Sequence, residues 1–167
     1  MSVRGLGMDF DIGTAIVPID LAAGANTGHR LHLKNYGGVA VVACFNNGTA
    51  AEAPTIVFRE ANAATGGTIQ DLDVVTTYYK KEEAALDGDE AWTKVTQTAG
   101  DITDADWDDA NEVLLVAQVN ASELSDDFEW ISVNIADTGT AQVGAVFYVM
   151  YDLRVQRAPE NLPQPNA

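Results

Sequence analysis

Four aspartates close together are the residues whose type and spacing best match a known chemistry. They are Asp101, Asp104, Asp106 and Asp108, and hard cations such as Ca²⁺ prefer carboxylate oxygens. The last three match the first ligand positions of an EF-hand loop, but Asp109 and Leu115 replace the glycine and the glutamate that this loop requires. The EF-hand interpretation therefore fails. An irregular calcium loop and a solvated acidic loop anchored by Trp107 both remain open.

Other patterns that could support catalysis are scarce. His29 and His32 stand three residues apart, so on a strand they point to opposite faces and cannot hold one metal together. Cys44 is the single cysteine and lies in an apolar run, which is typical of a small buried side chain. The sequence has no nucleophile elbow, dinucleotide turn or phosphate loop. We expect neither catalytic residues nor a cofactor.

Carbohydrate chemistry is the one alternative that the residue types leave open. The 25 acidic residues guarantee accidental carboxylate pairs, and nothing singles out one pair for glycoside hydrolysis. Six aromatic residues could form a sugar-stacking platform or pack in the core; they are Trp92, Trp107, Trp130, Tyr36, Tyr78 and Tyr79. A sugar-binding module would expose several of them on one face, and a glycan-active enzyme would need two carboxylates in a cleft.

The charge of the chain excludes several classes of partner. The 167 residues carry a net charge of −16, with a pI near 4.1. Phosphate backbones and anionic lipid surfaces repel such a chain, so we expect no direct binding to nucleic acid or membrane. No apolar run reaches the roughly 18 residues of a membrane span, and the first ten residues lack the apolar region of a signal peptide. We expect synthesis in the cytoplasm.

Short apolar runs separated by turn residues predict strands, which must position all of these groups. The runs are 12–19, 30–34, 39–45, 55–59, 69–75, 76–80, 91–98, 113–119, 129–135 and 142–155. Asn46–Gly48 predicts a hairpin or a short loop, and 82–86, 101–110 and 121–125 are candidates for short helical turns. We predict an all-β fold: an antiparallel two-sheet sandwich, jelly-roll-like, with about eight to nine strands.

The two ends of the chain are predicted to be extended arms on either side of a β-sandwich domain at 12–157. The first arm is 1–11, and the second is 158–167, which holds three prolines in ten residues. Extended arms can join neighbouring subunits by strand addition, or they can simply fray. The candidate interface residues are Phe10, Ile12, Arg154, Arg157, Pro159, Leu162 and Pro163.

The last third of the chain resembles small head proteins of tailed bacteriophages, over about 113–165. The shared pattern is a strand at Leu114–Val119, a connector at Ala121–Leu124, an aromatic-led strand at Phe128–Ile135, a final apolar strand at Val143–Leu153 and a tail at Arg154–Pro165. None of these elements is catalytic.

This resemblance implies a decoration (cement) protein that clamps neighbouring major capsid proteins on the outside of a phage head. It further implies a homo-oligomer, with a trimer favoured over a dimer, located on the outer surface of the virion. A charge of −16 suits that place, because an outer-shell protein does not touch packaged DNA. The alternative is a carbohydrate- or receptor-binding β-sandwich of a phage spike or tail.

Overall fold

The computed structural model describes residues 5–46, 54–104, 111–163 and 165. Eleven strands account for the regular structure: β1 Phe10–Asp20, β2 Asn26–Thr27, β3 Leu31–His32, β4 Gly38–Asn46, β5 Ile56–Ala61, β6 Ile69–Asp71, β7 Thr77–Glu83, β8 Thr93–Thr96, β9 Glu112–Asn120, β10 Trp130–Ile135 and β11 Val143–Tyr151. Within the described ranges, the helical segments are single 3₁₀ turns at 21–23, 33–35, 121–123 and 159–161. None of these helices is long and apolar enough to cross a membrane.

The strands form two antiparallel sheets, which confirms the predicted sandwich. The six-stranded sheet has the order β1-β11-β4-β9-β7-β8, and the second has the order β2-β10-β5-β6, with β3 also paired to β10. The four pairings β1–β11, β2/β3–β10, β4–β9 and β5–β6 alternate between the sheets. A rolled-up β-ribbon produces this order, so the fold is a jelly roll.

Eleven strands replace the predicted eight to nine for two reasons. The strand beside β10 is split into the two-residue pieces β2 and β3, of which only β3 falls in a predicted run, and the adjoining runs 69–75 and 76–80 form separate strands, β6 and β7, in different sheets. The hairpin suggested at Asn46–Gly48 is wrong, because β4 and β5 lie in different sheets. The helical turn suggested at 82–86 is also wrong: β7 continues to Glu83, where it pairs with Glu112 of β9. A short 3₁₀ turn is present at Ala121–Glu123, as expected.

The core lies between the two sheets and is built by alternation along the strands, which the register shifts of β1 interrupt near Ala15 and Ile16. From the six-stranded sheet it receives side chains that include Val39, Val41, Phe45, Leu115, Val119, Val146, Tyr148 and Met150, and from the other sheet Ile56, Phe58, Ile131, Val133 and Ile135. Gly144 belongs to the same inward row, since a Cβ there would lie 2.6 Å from Phe45 and 2.8 Å from Leu21. Every second residue of each strand therefore faces away from the core.

Both ends of the described chain fold against the domain. Residues 5–9 form a turn, and β1 begins at Phe10, two residues before the predicted boundary of the arm. Gly7 accepts a hydrogen bond from the amide of Arg157 through its carbonyl. Farther along, Leu162 packs against the core, and Pro165 accepts a hydrogen bond from the amide of His32 in β3. Within this chain, the tail therefore contacts its own second sheet.

Candidate interaction surface

The outward side of the six-stranded sheet is apolar across most of its width. Its residues pair across neighbouring strands, although β1 has register shifts between Thr14 and Ile16 and between Ile16 and Ile19, and the polar residues Thr14 and Gln118 interrupt the rows. We call the following set the outer apolar face: Phe10 and Ile12 of β1, Ala145, Phe147 and Val149 of β11, Ala40, Val42 and Cys44 of β4, Leu114 and Val116 of β9, and Tyr79 of β7. Two of these side chains, Ile12 and Tyr79, remain 53% and 40% exposed.

Charged residues occur only at the margins of this face among the described residues. The row through Phe147, Val42, Val116 and Tyr79 reaches a charge at Lys94 of β8. The neighbouring row, through Cys44 and Leu114, ends at Lys81 of β7. Glu112 of β9 and Glu83 of β7 pair with each other at one end of the two strands. A chain with a net charge of −16 thus keeps acidic side chains away from the middle of its largest sheet.

The outward side of the other sheet provides an internal comparison. It is polar, as expected for a sandwich surface in contact with water: Arg59 and Asp71 form an ion pair of 2.8 Å, and Ser132 and Asn134 lie on the neighbouring strand. His32 stacks on Trp130 there, with ring centroids 4.3 Å apart. The apolar character is therefore specific to one of the two outer surfaces.

The outer apolar face contains two hollows. The first, of about 360 Å³, is lined mainly by small or apolar residues, which include Pro18, Cys44, Leu86, Val143, Ala145 and Phe147. Val143 at its rim is 57% exposed. Cys44 is exposed, so the buried position predicted from its apolar run is wrong: its side chain lies on the outward side of β4. Partial burial, followed by the negative charge of Glu112, raises the pKa of its thiol, which keeps the thiol in its neutral form. The first hollow is a site for apolar contact.

The second hollow is bordered by exposed aromatic rings. Its volume is about 290 Å³, and Tyr79, Trp92 and Val116 line it. Trp92 is 48% exposed and has the ammonium group of Lys81 5.3 Å from its ring centroid, a distance within the range of a cation–π interaction. Since a Trp side chain contributes a large apolar area when it is covered, this corner of the face is suited to an anchoring contact.

Asp104 is used inside the fold. Its carboxylate lies 2.6 Å from the Lys80 ammonium and accepts a hydrogen bond from Tyr78, while Lys80 also contacts Glu82 at 2.9 Å. Lys80 and Glu82 point to the inward side of β7, which continues the sheet beyond β9. Asn111 donates to the second oxygen of Glu82. This polar network therefore supports the hairpin β7–β8.

Asp101 is the one other calcium candidate among the described residues, and no acidic cluster found there joins it to Asp104. Its side chain is largely exposed, and partial burial of the carboxylate, followed by the charges of Asp71 and Asp73, raises its pKa. Asp106 and Asp108, like Trp107, lie outside the described residues. Among the described residues, the acidic side chains close enough to share an ion are Glu83, Asp89 and Glu90, none of which the sequence pattern indicated.

The predicted interface residues separate into two groups. Phe10 and Ile12 lie on the outer apolar face. The C-terminal group lies on the chain's own domain: Arg154 donates to the carbonyl of Lys34, Arg157 donates to Gly7, and Pro159 begins the 3₁₀ turn that leads to Leu162 and Pro163. Sequence reasoning missed the remainder of the face. The sequence held one signal for these residues: the apolar runs of β4, β9 and β11 are nearly uninterrupted, which is typical of strands covered on both sides.

Comparison with known proteins adds no assignment: this chain matches no protein-family model, no curated protein and no solved structure.

Proposed function

We propose that this chain is a structural virion protein, a decoration protein that binds the outside of a phage head and bridges neighbouring major capsid proteins. The observation that carries the proposal is the outer apolar face on an otherwise strongly acidic jelly roll. A contiguous apolar surface of this extent marks a contact with another protein. The resemblance of 113–165 to phage head proteins gives the class of assembly.

The apolar outward sides of the strands also support the proposal. The outward sides of β4 and β11 and the middle of the outward side of β9 are apolar, although a two-layer fold covers only one side of each strand. The second cover must then come from outside the domain. A lattice of subunits supplies such a cover repeatedly, and weak contacts repeated over a lattice strengthen one another. The negative surface that remains would face the solvent outside the head.

Binding to phage heads tests this proposal directly. Purified protein is mixed with expanded and unexpanded heads assembled from the major capsid protein of a tailed phage, and bound protein is quantified after sedimentation. We expect saturable binding to expanded heads and density at local twofold or threefold axes by electron microscopy. Absence of binding to both kinds of head, or density only at the tail, would contradict the proposal.

A second candidate function rests on the exposed pair Tyr79 and Trp92. Two aromatic rings beside one hollow could stack on sugar rings, as in a carbohydrate- or receptor-binding module of a spike or tail. Glycan-array binding that is lost in Trp92→Ala and kept in Trp130→Ala would favour this candidate. Trp130 is the matched control because it stacks on His32 on the other sheet.

A further inference from the structure

We infer that the outer apolar face binds the same face of a second copy of this chain, giving a twofold dimer in which two six-stranded sheets pack against each other. The inference rests on the proposed function, since it takes the chain to be an assembly protein, and it assigns the outer apolar face to a second copy, so that other surfaces of the dimer would contact the capsid. The arguments concern the area of the face, its charge and its relief.

The area of the face is that of a stable protein interface. The outer apolar face extends over five strands, from β1 to β7, which are separated by four spacings of about 4.8 Å, and the nine-residue strands are about 30 Å long. The product is about 600 Å² in projection, which lies at the lower end of what each partner buries in a stable interface. Two sheets meeting in this way would pack about 10 Å apart, as sheets do inside a sandwich.

The charge distribution favours a copy of the chain as the occupant. Two molecules with a charge of −16 each repel one another, and the repulsion is smallest where neither surface carries charge. The rows through Ile12, Val42 and Cys44 have no charged member on β1, β11 or β4. On this side two copies would bury few carboxylates, which are costly to bury without partners; the one that lines the first hollow, Glu112, accepts a hydrogen bond from the amide of Leu86.

The shape of the face allows one copy to fit against the same face of another. It carries both a hollow with small residues at its base, Cys44 and Ala145, and protruding side chains, Trp92 and Ile12. In a twofold contact the same patch supplies both sides, so each copy offers a hollow and a protrusion. A single contiguous patch of this kind produces a pair, whereas a ring of three needs two different patches. The geometry therefore favours a dimer over the trimer expected from the phage resemblance.

Two matched substitutions test the dimer. Val42 and Val57 are both half-buried valines at outward positions of strands, the first on the outer apolar face and the second on the polar side of the other sheet. We expect wild type and Val57→Lys to sediment as dimers at micromolar concentration, and Val42→Lys to sediment as a monomer. A wild-type monomer at all concentrations, a trimer, or a Val42→Lys dimer would overturn the inference.

Cys44 provides a readout that needs no substitution. It is the only thiol of the chain and lies on the outer apolar face, so a maleimide reagent reports on this face alone. We expect at least a tenfold slower reaction in concentrated than in dilute wild-type protein. A rate independent of concentration would overturn the inference even if Val42→Lys failed to fold.

The two proposals fail in different ways. Dimers that do not bind heads would overturn the decoration function and leave the dimer intact. Monomers whose Cys44 becomes protected only on expanded heads would overturn the dimer and support a capsid protein as the occupant of the face.

Discussion

At the scale of single residues, Tyr148 connects the two sheets by hydrogen bonds as well as by packing. It is fully buried on the inward side of β11, where its hydroxyl accepts from the amide of Val133 in β10 and donates to the carbonyl of His29. Burial raises the pKa of this phenol far above its ordinary value, so the hydroxyl keeps its proton.

Replacing Tyr148 by Phe removes both hydrogen bonds while filling nearly the same volume. Because the Val133 amide and the His29 carbonyl lose a buried partner, we expect a loss of about 1–3 kcal/mol in the free energy of unfolding, measured by urea denaturation. Tyr151→Phe is the matched control, since Tyr151 bonds to Asn120 at the exposed end of the sheet; its loss is expected below about 1 kcal/mol. Equal losses in the two variants would contradict this role of Tyr148.

Lys80 gives a second prediction at this scale. Its ammonium lies between the carboxylates of Glu82 and Asp104, and all three side chains are nearly buried. In Lys80→Met two buried carboxylates lose their shared cation, so we expect destabilisation of about 3 kcal/mol or more in urea. Lys34→Met removes an exposed lysine and should change stability by less than about 0.5 kcal/mol. A tolerated Lys80→Met would show that the network does not support the β7–β8 hairpin.

Asp101 allows a prediction with a definite pH dependence. Burial and the neighbouring carboxylates of Asp71 and Asp73 raise its pKa in the folded protein, so the ionised form destabilises the fold and protonation relieves the penalty. Asp101→Asn should therefore raise Tm at pH 7. The gain corresponds to no more than about 0.5 kcal/mol, because the side chain is exposed.

The Tm difference between Asp101→Asn and wild type should disappear below about pH 3.9, where Asp101 is protonated in both states. Asp126→Asn, at another exposed aspartate, controls for the general loss of one negative charge. A lower Tm of Asp101→Asn at pH 7 in calcium buffer, restored to the wild-type value by chelation of both proteins, would instead show that this carboxylate binds the ion.

At the scale of elements, the C-terminal segment packs against its own domain. Leu162 packs on the core, Pro165 accepts from the amide of His32, and Arg157 contacts the turn around Gly7. Deleting 158–167 should lower the free energy of unfolding of the isolated protein by about 1–3 kcal/mol, because Leu162 is lost and the core below it is exposed. Unchanged stability together with lost head binding would mean that the tail serves a neighbouring subunit.

The elements also show which parts of the fold a sequence determines locally. Alternation and turn residues predicted most strands, since each depends on neighbours in the chain. β3 lies within the predicted run 30–34, but β2 was beyond such reasoning, because its two residues form a strand only through pairing with β10. The assignment of β4 and β5 to different sheets depends on the long-range pairs β4–β11 and β5–β10, which no local pattern encodes.

The candidate surface was predictable in part and for a similar reason. The apolar runs of β4, β9 and β11 correctly predicted strands, and runs of this kind are typical of strands that are covered on both sides. That the three strands are neighbours, so that their outward sides merge into one surface, follows from the jelly-roll order alone. Tyr79 and Trp92 join this surface through the hairpin β7–β8, and their types did not reveal whether they would be buried or exposed.

At the scale of the whole molecule, net charge and the outer apolar face act in opposition. Each copy carries a charge of −16, so bringing two copies together is opposed by long-range repulsion, while the apolar contact depends little on moderate salt. The Debye length falls from about 10 Å at 0.1 M salt to about 3 Å at 1 M. Repulsion between the two acidic bodies is therefore screened over this range.

Self-association of the wild type should accordingly tighten several-fold between 0.05 and 0.5 M NaCl, as measured by sedimentation equilibrium. Val42→Lys should remain monomeric at both concentrations, which separates screening at this face from general salting-out. The opposite trend, with dimers dissociating as salt increases, would mean that attractive ion pairs hold the copies together. Since the middle of the outer apolar face has no charges to pair, the contact would then have to lie on another surface of the jelly roll.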